Sequence, residues 1–331
     1  MYRADEKRYE KDMYRRCGDS GLKLSKLSLG LWHNFGDTSS YENMKIMCKT
    51  AFDNGITHFD LANNYGPEPG SAEINFGRIL KEDFLPYRDE IIISTKAGYD
   101  MWPGPYGNWG SRKYLISSLD QSLKRMGLDY VDIYYHHRPD TDTPLEETMG
   151  ALAQTVMSGK ALYVGLSNYT GERMEEAARL LAEYKVPFII NQNRYNIFDR
   201  TIEANGLKES CRKLKKGIIC FSPLAQGLLT GRYLDGIPED SRISRDGRFL
   251  KESSLTEDVM KQIRALNDLA GKRGEELSRM ALSWLLQDEV ITSVIIGASK
   301  PEQILTNLKA IDSPAFDEEE LRAIDEIALN K

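Results

Sequence analysis

Residues 90–167 read EIIISTKAGYDMWPGPYGNWGSRKYLISSLDQSLKRMGLDYVDIYYHHRPDTDTPLEETMGALAQTVMSGKALYVGLS. Three short runs rich in β-branched and aromatic residues stand out: EIIISTKA, VDIYYHH and ALYVGLS. They are separated by segments, 113–126 and 145–158, whose apolar residues recur at helical spacing. Each run is followed by a helical segment. That pattern is the signature of βα units feeding a parallel sheet covered on its outer face.

The same alternation continues in both directions. Upstream come a strand at LSLGLW (27–32), a helix carrying Met44, Met47, Ala51 and Phe52 that stops at Asn54-Gly55, a strand at ITHFDLA (56–62) and a helix over 71–80. Downstream come a helix over 171–184, strand FIINQ, a helix over 206–214, strand GIICFS, two inserted helices over 256–271 and 277–287, strand SVIIGA and a helix from Pro301. Eight strands with no compositional break predict one (β/α)8 TIM barrel spanning residues 1–331 as a single domain. A doubly wound sheet for a dinucleotide would carry G-x-G-x-x-G after its first strand, and none is present. Before the first strand, two short runs flank Gly18-Asp19-Ser20-Gly21 and predict an N-terminal hairpin.

Composition narrows the function. With 28% charged and 41% hydrophobic residues, and no apolar run near the roughly 18 residues of a membrane span, a globular chain without membrane segments is expected. The start, MYRADEKRYEKDMYRR, has no apolar core or cleavage site, so the cytosol is the expected compartment. A net charge of −6 disfavours nucleic acid as a partner. Cys17, Cys48, Cys211 and Cys220 lack C-x-x-C spacing and there are four histidines in all, so neither a disulfide framework nor a metal site is expected. A small molecule is the expected ligand, and self-association is left open.

Chemistry in such barrels gathers where strands end and βα loops begin. Those ends carry Asp60, Lys96, His136-His137, Ser167-Asn168, Gln192 and Phe221-Ser222, and Tyr65 follows Asp60 in a loop of Asn, Gly and Pro. A phenol is a weak acid at neutral pH, and a nearby ammonium would lower its pKa. Lys96 could supply that ammonium, with Asp60 of the adjacent strand keeping it charged. An imidazole from His136 or His137 could hold a carbonyl oxygen beside the phenol.

The motifs FDLANNYG, ISTKAG, YYHHRPD, GLSNY, INQNRYN, FSPLAQGLLTGRY and IGASKPEQI together resemble the aldo-keto reductases over nearly the whole chain. SLGLWHNFG, DLANNYGPEPGSAE and STKAGYDMWPGPYG are most similar to the bacterial branch that reduces L-glyceraldehyde 3-phosphate. The resemblance implies a tetrad of Asp60, Tyr65, Lys96 and His137, with Tyr65 as general acid. It selects His137 over His136, which then faces the surrounding layer because neighbouring strand residues point opposite ways. It also implies NADPH/NADP+ as cofactor. Trp32, Asp60, Ser167, Asn168 and Gln192 would lie at the nicotinamide and Phe221 would stack on it. Ser222, Pro223, Leu224, Gln226, Gly227 and Arg232 would wrap the pyrophosphate. Gly297, Ser299, Lys300, Gln303 and Asn307 would hold the adenosine end, with Lys300 on the 2′-phosphate.

The implied substrate is a small aldehyde or ketone, such as a triose phosphate or methylglyoxal, reduced to the alcohol. Trp32, Tyr65, Trp102 and His137 are its expected contacts. Trp102, Tyr106 and Trp109 suit a pocket wall or simple packing of the loop that holds them, and Arg112, Lys113 and Arg138 are nearby cations for a substrate phosphate. A potassium-channel β-subunit, a regulatory module sharing this fold and cofactor, is the alternative. A Schiff-base aldolase using Lys96 would leave Tyr65 and the Ser299-Lys300 segment without a role.

Overall fold

The computed structural model describes residues 2–234, 236–239, 242–245 and 250–329. Strands β1 (Tyr14–Arg16) and β2 (Lys23–Ser25) form the antiparallel hairpin. The next eight are β3 (Leu27–Gly30), β4 (His58–Asp60), β5 (Ile92–Ala97), β6 (Val131–His136), β7 (Ala161–Ser167), β8 (Phe188–Arg194), β9 (Gly217–Phe221) and β10 (Ile291–Ile296). They close into a parallel barrel in chain order, β10 pairing with both β3 and β9. This is the (β/α)8 architecture that the alternation predicts.

Helices Tyr41–Asp53, Ser71–Ile79, Arg112–Met126, Leu145–Met157, Gly171–Glu183, Leu207–Lys213 and Pro301–Leu308 follow the strands within a residue or two of their expected bounds. Their ends have local causes. Ser40, Ser111 and Thr170 cap helix N-termini with their hydroxyls, and the first of these helices stops at Asn54, ahead of Gly55 at φ +85°. The inserted pair is Glu257–Lys272 and Leu277–Leu286, and a further helix, Glu318–Leu329, packs against Glu257–Lys272.

Strand alternation builds two layers. On β5, Ile93 and Ala97 join the large apolar core between strands and helices, while Ser94 and Lys96 turn to the barrel axis. The inner apolar cluster is smaller: Ile133, Tyr135, Ile190, Ile219 and Ile295, with Cys17 and Leu24 of the hairpin region beneath them. The hairpin therefore seals the N-terminal end of the barrel, and Arg15 fastens it by donating to the carbonyls of Leu286, Asp288 and Ile291. With that end closed, the polar residues on the barrel axis face the opposite mouth, where the cleft lies.

Candidate active site

Asp60, last residue of β4, lies 1% exposed beside Lys96 of β5, which is wholly buried. The Lys96 ammonium donates to Asp60 Oδ2 at 2.7 Å, to the Leu61 carbonyl at 2.6 Å and to the Tyr65 hydroxyl at 3.3 Å. Asp60 Oδ1 accepts from Ser94 Oγ at 2.7 Å and from Gln192 Nε2 at 3.1 Å. A buried ion pair survives only when its remaining donors and acceptors are satisfied, and here they are. The register makes this possible: Asp60 pairs with Ser94 across β4 and β5, leaving Lys96 one inward step higher.

Burial, with the Asp60 charge and Tyr99 adding to it, raises the Tyr65 phenol well above its ordinary pKa. This corrects the expectation that Lys96 brings the phenol down: loss of solvent, the Asp60 charge and Tyr99 all act to raise it. Tyr65 is thus a protonated donor at neutral pH. Lys96 is itself pulled down by burial and held up by Asp60. His137 falls well below its usual pKa through burial and then the charges of Lys96 and Arg138, so its imidazole is neutral.

His137 stands edge-on to Tyr65 with ring centroids 5.9 Å apart, and its Nδ1 is a buried atom without a hydrogen-bond partner. His136 points the other way, its Nδ1 2.7 Å from the Tyr169 hydroxyl in the outer layer. The geometry thus brings together Asp60, Lys96, Tyr65 and His137, and separates His136 from them. A neutral imidazole and a protonated phenol can hold one carbonyl oxygen between them, and the ammonium behind the phenol can absorb charge as its proton leaves.

These groups sit at the head of a cleft of about 1580 Å3. Its walls include Trp32, Asn168, Gln192 and Phe221, then Ser222, Pro223, Leu224, Gln226, Gly227 and Arg232, and finally Gly297, Ser299, Gln303 and Asn307. Ser167 lies just behind, 3.1 Å from Asn168 Nδ2, and Lys300 caps the helix whose residues Gln303 and Asn307 line the far end. Ser222, Ala225, Gln226 and Gly227 all have positive φ, an improbable run of left-handed backbone of the kind that persists at ligand clamps. Asn34 and Asn43 brace the last segment by donating to the carbonyls of Ala298 and Ser299. A long, branched polar ligand such as a dinucleotide fits this lining.

Trp102 departs from expectation. It packs on Tyr114 with centroids 5.2 Å apart and is not among the residues lining the cleft. Tyr99 of the same loop lines it instead, edge-on to His137 at 4.6 Å. Position alone could have signalled Tyr99, three residues beyond Lys96, whereas the loop's tryptophans drew attention by size. Arg138 is sandwiched between Tyr99 and Trp109, and neither it nor Arg112 nor Lys113 lines the cleft. Among the described residues, the arginines and lysines that do are Arg194 and Arg232.

Comparison with known proteins agrees with this geometry. The model of the aldo/keto reductase family matches residues 26–329. The chain is 57% identical over 329 residues to L-glyceraldehyde 3-phosphate reductase of Escherichia coli O157:H7 and 56% identical over 329 residues to the protein of that name from Escherichia coli strain K12. Each alignment covers 98% of this chain and 95% of the relative. The chain belongs to the aldo/keto reductase family.

Proposed function

We propose that this enzyme reduces small aldehydes, triose phosphates such as L-glyceraldehyde 3-phosphate foremost, with NADPH as reductant and Tyr65 as general acid. The observation that carries the proposal is the buried Asp60–Lys96 pair beneath half-buried Tyr65, opening beside neutral His137 at the head of a dinucleotide-sized cleft. The name borne by both relatives supports the triose phosphate, and a carbonyl analogue such as methylglyoxal would meet the same donors.

NADPH, when bound, would supply the hydride. Asn168 and Gln192 would hold its nicotinamide end, Phe221 would offer a flat face, and the segment from Ser222 to Arg232 would hold its pyrophosphate. His137 orients the carbonyl oxygen by hydrogen bonding. Tyr65 gives that oxygen its proton, and Lys96, held by Asp60, stabilises the phenolate left behind.

The test is a panel of aldehydes, including L-glyceraldehyde 3-phosphate and methylglyoxal, assayed with NADPH by loss of nicotinamide absorbance. Tyr65→Phe is run alongside. The wild type should oxidise NADPH with at least one of these aldehydes, and Tyr65→Phe should be slower by about 10²-fold or more with NADPH affinity little changed. Undiminished turnover by Tyr65→Phe, or none by the wild type across the panel, would overturn the proposal.

A further inference from the structure

The hydrogen bonds that reach Asp60 do not end at its first partner. From Asp60 Oδ1 the chain passes to Ser94 Oγ at 2.7 Å, then to His58 Nε2 at 2.9 Å, and from His58 Nδ1 to Ser28 Oγ at 2.8 Å. Ser28 meets Ser293 Oγ at 2.6 Å, and Ser293 lies 2.7 Å from the Ser25 carbonyl. Every one of these side chains is buried. A polar column therefore runs through the barrel interior, from the catalytic mouth to the end closed by the hairpin.

Its protons have a direction. Asp60, paired with Lys96, only accepts, so Ser94 must donate to it. That uses the single Ser94 proton, and the contact between Ser94 and His58 must be made by Nε2–H of the ring. The charged groups acting on His58 are Asp60 on its own strand and Lys96 on β5, while β3 and β10 contribute the Ser28 and Ser293 hydroxyls. Asp60 and Lys96 neutralise each other, so an imidazolium would have no counter-charge and the ring stays neutral. Its Nδ1 then accepts from Ser28, and because Ser293 has a single proton to share between Ser28 and the Ser25 carbonyl, the aligned chain begins at Ser28. From Ser28 to Ser94 each proton points toward the carboxylate, and hydrogen bonds aligned in this way in a low-dielectric interior polarise one another.

We infer that His58 is a positioning residue for the reaction: through Ser94 it fixes the Asp60 carboxylate in the orientation that keeps Lys96 an ammonium beneath Tyr65. The inference rests on the reading of Asp60, Lys96 and Tyr65 given above.

The experiment is the pH dependence of kcat for aldehyde reduction with NADPH, on the full chain. Ser94→Ala breaks the link without touching the imidazole, and His58→Leu removes the imidazole. His58→Gln keeps an N–H near the Nε2 position. A loosened Asp60 holds the Lys96 proton less firmly, so the basic limb for Ser94→Ala and His58→Leu should move down by about one pH unit. NADPH affinity should be unchanged, and His58→Gln should keep the wild-type limb. Should His58→Leu fail to fold, His58→Asn, which keeps a polar atom near Nδ1 for Ser28 but none near Nε2 for Ser94, takes its place and should show the same shift. Coincident limbs for Ser94→Ala and wild type would overturn the inference, as would a shift in His58→Gln as large as that in His58→Leu. Tyr65→Phe in the same series separates the two levels. If it loses turnover while the limbs coincide, only the role of His58 is refuted; if it keeps turnover, the reading of the tetrad falls and takes this inference with it.

Discussion

Tyr65 and Lys96 show how burial assigns roles to groups that would be unremarkable in water. Desolvation keeps the phenol protonated and ready to donate, and the same desolvation makes the lysine dependent on Asp60 for its charge. Lys300 works under the opposite condition, exposed at the N-cap of Pro301–Leu308, where the helix dipole already favours an anion. If Lys300 meets the 2′-phosphate of NADPH, a charge-assisted contact contributes about 1.5–3 kcal/mol, or one to two powers of ten in affinity. Lys300→Ala should weaken NADPH binding by that factor and leave NADH almost untouched. Dissociation constants for both cofactors, read by fluorescence quenching, check this. Equal weakening of the two, or none for NADPH, would place the 2′-phosphate elsewhere.

Among elements, the pairing of β6 with β7 leaves little room for change. Gly165 of β7 lies opposite Tyr135 of β6, and a Cβ at Gly165 would come within 2.3 Å of the Tyr135 ring. That ring is wholly buried, with the Lys96 ammonium 5.7 Å from its centroid, so it has little room to yield. Gly165→Ala should therefore destabilise the fold by about 1–3 kcal/mol through overpacking, seen as a lower urea midpoint at unchanged slope. A midpoint equal to wild type would show that the inner layer repacks. The strand and helix periods of these units were legible in the sequence because each element repeats its own burial pattern. Bounds were less so. The run 56–62 reads as one strand, yet β4 ends at Asp60, because the amides of Leu61 and Asn63 bond only toward β5, to the Ser94 and Lys96 carbonyls. The helix Glu318–Leu329 went unread. Asp60, Lys96 and the His136-His137 pair were legible as polar side chains at strand ends, and the resemblance chose His137 from the pair. Tyr99 and His58 were not, since a loop aromatic's direction and the meeting of His58 with Ser28, Ser94 and Ser293 depend on residues far apart in the chain.

Across the whole molecule, three of the four histidines are buried, and all three are neutral for the same reason. Burial lowers His58 and His136 to about 4, and lowers His137 well below its ordinary value. The unfolded chain takes up a proton at each site near pH 6.5, while the folded chain resists until about pH 4 for His58 and His136. Between those values the unfolded state binds more protons, so stability must rise with pH and be lost as pH falls. The contribution of each of these two sites approaches about 3 kcal/mol at the acid end of the window. Surface carboxylates act lower: Glu82, held at about 2 by hydrogen bonds from Lys45 and Arg78, loses its contribution only below the ordinary carboxylate range. Urea unfolding from pH 7 to 4 should therefore show a falling midpoint with its onset near pH 6.5. His136→Asn can still bond the Tyr169 hydroxyl but cannot take a proton, so it should show a smaller loss over the same window. A midpoint that rises on acidification, or a variant as acid-sensitive as the wild type, would mean that the buried imidazoles already carry charge in the folded barrel. The electroneutral interior on which both Lys96 and His58 depend would then not exist.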